Sequence, residues 1–467
     1  MLKKRVWPFS GNGRLTTGGV GVFAMGELAR QMVERAQSKG AQLSEAYGLD
    51  SKDLTIEVSK GVVETMKLAE DRGIGIRVFK AGKMGYAYTS DLSEAAVEST
   101  VDRALANAAF TGEDPFWRLP DKVNQYPQVD TYDPAIAQVS VERKIELAKE
   151  IEATARATDP RVKITERSSY QDAEYNVTVV NSQGIDATYR GAYCGAYAYL
   201  VAEEKGDNQT GFSLSYGLHF EDIDPKKIGR EAAAKAVRML GAKSVPSRRV
   251  PVVFDPYVTT QILGIVAPAL TAEAVQKGKS LFAGKVGQSI ASGKVSIIDD
   301  GLLPGRIQSA PFDGEGVPTS RTILIEEGQL KGFLYNTYTA AKDGAASTGN
   351  GSRGSFRGTP DVGTTNFYLE AGDVAPDDLI GQISSGLYVT EVMGMHTANP
   401  ISGDFSVGAA GILIEKGRLT TPVRGVAIAG NLLEWLDRID GIGNDLTFFI
   451  GKGAPTVRIK EMAISGN

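Results

Sequence analysis

PALTAEAVQKGKSLFAGKVG, residues 268–287, is the stretch on which the reading of this chain turns. Ala, Leu, Glu, Gln and Lys dominate its first half. Their spacing predicts a helix from Ala269 to about Lys277, with Pro268 in the first turn. Gly278 and Gly284 then break it. Leu270, Ala274, Val275 and Leu281 are the apolar positions. Glu273 and Lys277 stand one turn apart, placed for an ordinary helix-surface ion pair. Nothing in this helix by itself calls for chemistry.

Around it lies a chain of 467 residues, long enough for two or three domains with sizeable cores. Charged residues are 23% and hydrophobic ones 42%, an ordinary globular balance. The formal net charge of −5 argues against a dedicated nucleic-acid surface, so no nucleic-acid partner is expected. Cys194 is the sole cysteine, which excludes an intrachain disulfide and fits a reducing compartment, the cytoplasm. No apolar run approaches the roughly 18 residues that would suggest a membrane span.

Residues 1–24 begin with Lys3-Lys4-Arg5 and continue polar and glycine-rich. They are expected to be a flexible leader, or the product of an over-long start, and not a signal peptide. Residues 26–39 predict a helix with Leu28, Met32, Val33 and Ala36 on its apolar stripe. Alternation at Leu54, Ile56, Val58 and at Ile74, Ile76, Val78 predicts strands, with a hairpin turn at Lys80–Lys83. Further helices are expected at 94–108, 140–158 and 226–240, strands over 162–220, and a surface connection over 110–135. From Pro246 onward short strands and glycine turns dominate, with candidates at 250–254, 294–298, 321–326, 365–369, 387–392, 410–415 and 426–429. The fold class is therefore α+β. Residues 25–240 form an N-terminal unit of antiparallel sheet and long helices, and residues 241–467 a β-rich C-terminal unit.

Few constellations carry chemistry. The chain has no phosphate-cradling loop, no His-Glu-x-x-His helix and no Gly-x-Ser-x-Gly elbow. Cys194 reads as a buried small residue, and His219, beside Glu221 and Asp222, as a strand-end histidine. His396 lies in a loop-like segment with Asn399 and Asp404. One histidine and one carboxylate fall short of a zinc site, and a structural histidine bonded to loop backbone is the cheaper reading. Asp299-Asp300 and Asp313-Gly314-Glu315 read as turns and solvated acidic edges. TGNGSRGSFRG, residues 348–358, reads either as a mobile loop or as a source of backbone amides and guanidinium groups, from Arg353 and Arg357, for a peptide or carboxylate.

AEAVQKGKSLFAGKVG, together with SAPFDGEGVPTSRTILIEEGQLKGFLYNTYTAAKDGAASTGNGSR and EVMGMHTANPISGDFSVGAAGILIEKGRLTTPVRG, resembles the TldD/PmbA family, the so-called modulators of DNA gyrase. Matched segments run in order from about Met25 to the end, and they resemble the PmbA (TldE) branch. The resemblance implies the α+β plus β-rich fold and a two-subunit cytosolic complex that cleaves small unfolded peptides, among them microcin precursors and antitoxin-like proteins. The TldD branch is the zinc peptidase, expected to carry His-Glu-x-x-x-His on this helix and a cysteine ligand near its end. Here Ala272 takes the first histidine's place and Lys277 the second's, Glu273 survives, and no cysteine follows Cys194. An alanine cannot ligate zinc and a protonated lysine is a poor ligand. The chain is thus expected to hold no cofactor of its own. It would be the metal-free partner of a zinc-bearing TldD-like catalytic subunit, with segments 348–358 and 390–408 walling the peptide chamber. Two alternatives stand beside it: an autonomous metallopeptidase using His219, His396 and acidic residues, and a stand-alone peptide-binding homodimer. The historical link to gyrase gains nothing from the charge.

Overall fold

Long alternating strands build the N-terminal region. The computed structural model describes residues 20–466, so most of the expected leader lies outside the described residues. Its last residues continue a helix, α1 (Val20–Ser38), which begins six residues before the expected start at 26. No proline interrupts VGVFA, and Met25 is already buried in the stripe with Ala29, Met32, Val33 and Ala36. Next come β1 (Leu43–Ser59), β2 (Val62–Lys80), β3 (Lys83–Thr89), α2 (Glu94–Ala108), α3 (Ala135–Gln138), α4 (Val141–Thr158), β4 (Val162–Asn181), β5 (Asp186–Glu204), β6 (Asp207–Gly217) and α5 (Pro225–Arg238). The six strands form one sheet in the order β3-β2-β1-β4-β5-β6, every pair antiparallel. Three of its hairpins turn on a residue and a glycine with positive φ: Lys60–Gly61, Ala81–Gly82 and Lys205–Gly206. That conformation matches the twist of the flanking strands and is cheap for glycine.

The period of two gives this sheet two different faces. Ala46, Ile74, Ile76, Val78 and Val180 point to α1 and α2. Leu54, Ile56, Tyr170, Ala196 and Ala198, farther along the same face, point to α4 and α5. The small side chains of β5 let α5 approach: a Cβ on the neighbouring Gly211 would lie 2.1 Å from the carbonyl oxygen of Ala232. Tyr47, Val177, Val179 and Ala187, on the opposite face, pack against Phe312 and Phe356 of the C-terminal region.

That second region contains β7 (Arg248–Phe254), α6 (Pro256–Ala269), α7 (Ala272–Gln276), β8 (Ile297–Asp300), β9 (Arg321–Glu326), β10 (Gln329–Leu330), α8 (Thr337–Asp343), β11 (Gly351–Ser352), β12 (Asp361–Val362), β13 (Phe367–Leu369) and α9 (Pro376–Gly381). It continues with β14 (Ser385–Met393), β15 (Asp404–Glu415), β16 (Arg418–Asn431), α10 (Leu432–Asp437), β17 (Ile439–Ile442), β18 (Thr447–Phe449), β19 (Lys452–Ala454) and β20 (Val457–Ser465). One sheet runs β10-β9-β8-β13-β19-β18. The other runs β16-β15-β14-β7-β20-β17, and β16 also pairs with β20, which closes it into a ring. Helix α6 buries Val258, Ile262, Leu263 and Val266 in the core shared with both sheets. The α+β architecture with a β-rich, barrel-like C-terminal region is the one expected.

Residues 268–287 depart from the expectation. A single helix over 269–277 does not form. Helix α6 ends at Ala269, with Pro268 in its last turn, and α7 starts at Ala272. Between them the chain exchanges backbone bonds with Leu334: its amide donates to Leu270 O (2.9 Å), and its carbonyl accepts from Ala272 N (2.9 Å). Thr271 then caps α7, its hydroxyl accepting from Ala274 N at 3.2 Å. Residues 110–135 are irregular as expected, but they act as a strap. Trp117 stacks on Tyr338 with ring centroids 4.3 Å apart, Tyr338 Oη donates to Asp114 at 2.7 Å, and Tyr126 Oη donates to Gly316 O at 2.8 Å.

Candidate functional site

The split between α6 and α7 opens a cleft of about 610 Å³. Ala267, Pro268 and Ala274 form one wall, and Val362, Pro400 and Ile401 line it from the C-terminal loops. Glu273, Lys277, Lys279 and Lys452 supply its charges. Ala272, at the position of the expected first histidine, is fully buried under the helix. Lys277 Nζ lies 2.6 Å from Glu273 Oε1, the helix-surface pair that the spacing predicts.

These residues do not fit a zinc ion. Zinc takes three or four N, S or O donors, and here a methyl group and an ion-paired ammonium flank one carboxylate. Among the described residues, no group of three or more His, Cys, Asp or Glu is placed to hold a metal. The two histidines are apart in role. His219 Nδ1 bonds Asp133 Oδ2 at 2.8 Å, and that carboxylate raises the imidazole pKa. Cys194 is fully buried, and burial pushes its thiol up to about 12.

His396 sits in a short 3₁₀ turn, Met395–Thr397, exposed and without a side-chain hydrogen bond to any described residue. The expected bond to loop backbone is absent, because the neighbouring polar groups bond one another. Asn399 Oδ1 accepts from Ile401 N (2.9 Å) and Ser402 N (3.2 Å). Asp404 accepts from Ser402 Oγ at 2.8 Å and Asn431 Nδ2 at 2.9 Å, bonds that hold its carboxyl below the usual range. This turn carries Pro400 and Ile401 onto the rim of the cleft.

Segment 348–358 is a clasp, an arrangement neither sequence reading describes. Phe356 is fully buried against the sheet, and its carbonyl accepts from Tyr86 Oη at 2.6 Å. Only glycine permits this approach: a Cβ on Gly73 would stand 2.3 Å from the Phe356 ring. Arg357 forks onto Asp71 with bonds of 2.6 and 2.7 Å. The Arg353 side chain is 1% exposed. Its guanidinium pairs with Glu45 and lies over the Tyr47 ring, so it is committed within the protein. Beside it Arg77, 3% exposed, bridges Glu45 (2.8 Å) and Glu315 (2.9 Å). Burial opposes the charge on Arg77, and the two carboxylates more than offset it.

The acidic pairs are likewise buried, not solvated. Asp299 accepts from Asn350 Nδ2, Thr365 N and Thr365 Oγ1, and burial still lifts it to about 6. Asp313 does form the expected turn, accepting from Glu315 N and Val317 N. It also anchors Gly351 N at 2.7 Å, and burial, with Glu315 nearby, raises its pKa. The carboxylates therefore hold the glycine-rich segment in place. Sequence reasoning missed this because the partners are backbone amides far along the chain.

Comparison with known proteins agrees with this geometry. Residues 44–108, 134–240 and 247–466 match the family models for PmbA/TldA metallopeptidase domain 1, central domain and C-terminal domain. Metalloprotease PmbA of Escherichia coli O157:H7 is 30% identical over 457 residues, covering 95% of this chain and 98% of its own length. A crystal structure of a Thermotoga maritima protein named as a modulator of DNA gyrase superposes with a TM-score of 0.87 at 29% identity, covering 94% of this chain and 99% of that one. TldE from Thermococcus kodakarensis superposes with a TM-score of 0.87 at 25% identity, covering 95% and 100%. With all three family segments in order, and a relative at this identity along nearly its whole length, the chain belongs to the TldD/PmbA metallopeptidase family.

Proposed function

We propose that this chain is the metal-free, PmbA/TldE-like subunit of a two-component metallopeptidase. It works in the cytoplasm beside a TldD-like subunit that carries the zinc. Its contribution is to shape the chamber in which small unfolded peptides are held, with residues 25–240 and 241–467 as its two units. The observation that supports this reading is the pairing of a family fold kept end to end with Ala272 and an ion-paired Lys277 where the resemblance expects histidines. Glu273 persists, but a general base with no metal-bound water to act on has little purchase.

The chamber wall assigned to this chain is the turn bearing His396, Asn399 and Asp404, which borders the cleft over α7. Arg353 and Arg357, in segment 348–358, are tied instead to Glu45 and Asp71 of the first sheet. Co-purification from the native cell, followed by peptide digestion with and without added zinc, tests the proposal. A zinc-bearing relative should co-purify, and the pair should cleave peptides that this chain alone leaves intact. Stoichiometric zinc on the isolated chain, with peptide bonds broken by it, would sink the proposal and favour an autonomous enzyme. Peptide binding by a homodimer, with no relative recovered, would favour the stand-alone binder.

A further inference from the structure

The cleft over α7 has no metal-ligand set among the described residues and is rich in lysine. Lys277, Lys279 and Lys452 line it against one acidic residue, Glu273. That concentration stands out in a chain whose formal net charge is −5. Glu273 is spent on Lys277 at 2.6 Å. Lys279 and Lys452 make no side-chain hydrogen bond or ion pair with any described residue, although both line the same cleft. Two lysines without a partner on one concave surface leave it positive, which favours an anion there.

The rest of the lining says what the anion is attached to. Ala267, Pro268, Ala274, Val362, Pro400 and Ile401 are apolar, and Ile401 is 48% exposed at the rim. Lysines bind phosphate as readily as carboxylate, but a free phosphate would leave these apolar walls unused. An extended peptide with small or apolar side chains and a carboxylate suits them. The volume of about 610 Å³ falls in the range of small-ligand pockets, enough for a few residues.

We infer that the cleft lined by Lys279, Lys452, Pro400 and Ile401 is a carboxylate subsite that anchors a peptide by its negative charge beside an apolar stretch. The inference rests on the peptide-handling role proposed above and names what that role selects. The carboxylate has two sources, the peptide C-terminus and an Asp or Glu side chain. Both offer the same group to the lysines.

The test is fluorescence anisotropy on the full chain alone, using labelled apolar hexapeptides in three forms. One ends in a free acid, one in an amide, and one in an amide with an internal Glu. Binding of the free acid should weaken at least about fivefold on amidation, and by as much in Lys279→Met/Lys452→Met. Lys279→Arg/Lys452→Arg should restore it, and raised salt should weaken it. Lys149→Met, on the far helix α4, should leave it unchanged. If only the internal Glu peptide binds, in a lysine-dependent way, the side chain is the carboxylate read and the subsite stands. Equal binding of acid, amide and Glu peptides, or no binding of any, overturns it. Neither result bears on zinc content or on cleavage by the assembled pair, so failure here is distinct from failure of the two-component reading.

Discussion

Replacing Arg77 with methionine should separate the two halves of this protein before either unfolds. The guanidinium is 3% exposed and spans Glu45 at 2.8 Å and Glu315 at 2.9 Å. Glu45 keeps Arg353 in the variant. Glu315 is left with one neutral donor, Thr337 N at 2.7 Å. An uncompensated carboxylate with no exposure costs about 3–5 kcal/mol, and methionine fills most of the vacated stem. Urea unfolding followed by far-UV circular dichroism and by tryptophan emission is the assay. Trp117 stacks on Tyr338 across the joint, so its emission, read in a background with Trp7 and Trp435 replaced by Phe, should change at lower urea than the helical signal. Adding Glu315→Gln should recover at least about 2 kcal/mol by removing the stranded charge. A loss below about 1 kcal/mol for Arg77→Met, or a further loss on adding Glu315→Gln, refutes the reasoning.

Other perturbations read other joints. Gly211→Ala places a Cβ 2.1 Å from Ala232 O and 2.5 Å from Ala236 N, so it should cost about 1–3 kcal/mol in thermal melts. Gly112→Ala, which meets nothing within 4 Å, should be near neutral, and equal melting of the two would show that α5 yields easily. The pKa of His219 is raised chiefly by Asp133, so that bond's contribution is full below the unfolded histidine value and fades as pH rises through the folded one. Melting temperatures between about pH 5 and 8 should show this slope in the wild type and lose it in Asp133→Asn. Cys194, buried and with its thiol pushed up to about 12, should resist a thiol reagent until urea unfolds the chain, and rapid native labelling would contradict its burial.

The N-terminal sheet was legible because its signals are local. Alternation at Leu54–Val58 and Ile74–Val78 marks one buried face, and Ser93 and Ser140 precede α2 and α4 at the expected starts. Helix α6 went unread because it is buried nearly all round. PYVTTQILGIVAPA has no polar stripe to give it a period. Strands β17 to β20 are short or broken by register shifts, which spoil alternation. Lys277 was read for what it replaces. The cationic cleft is not legible in the sequence, since Lys279 and Lys452 are far apart in the chain and line one cleft only in the fold. The buried acids failed for a related reason: Asp299 and Glu315 look like surface charges until the amides of Thr365 and Thr337 arrive from elsewhere.

The clasp also sets limits on exchange between relatives. Two of its members, Glu45 and Arg77, come from the first sheet, and two, Glu315 and Arg353, from the second region. A chimera that takes its front half from one homologue and its rear half from another inherits half a lock. Such hybrids should dock their two halves only when donor and recipient carry the same four-charge arrangement, however alike their remaining surfaces. The unit that can be inherited or grafted in this protein therefore includes all four charges.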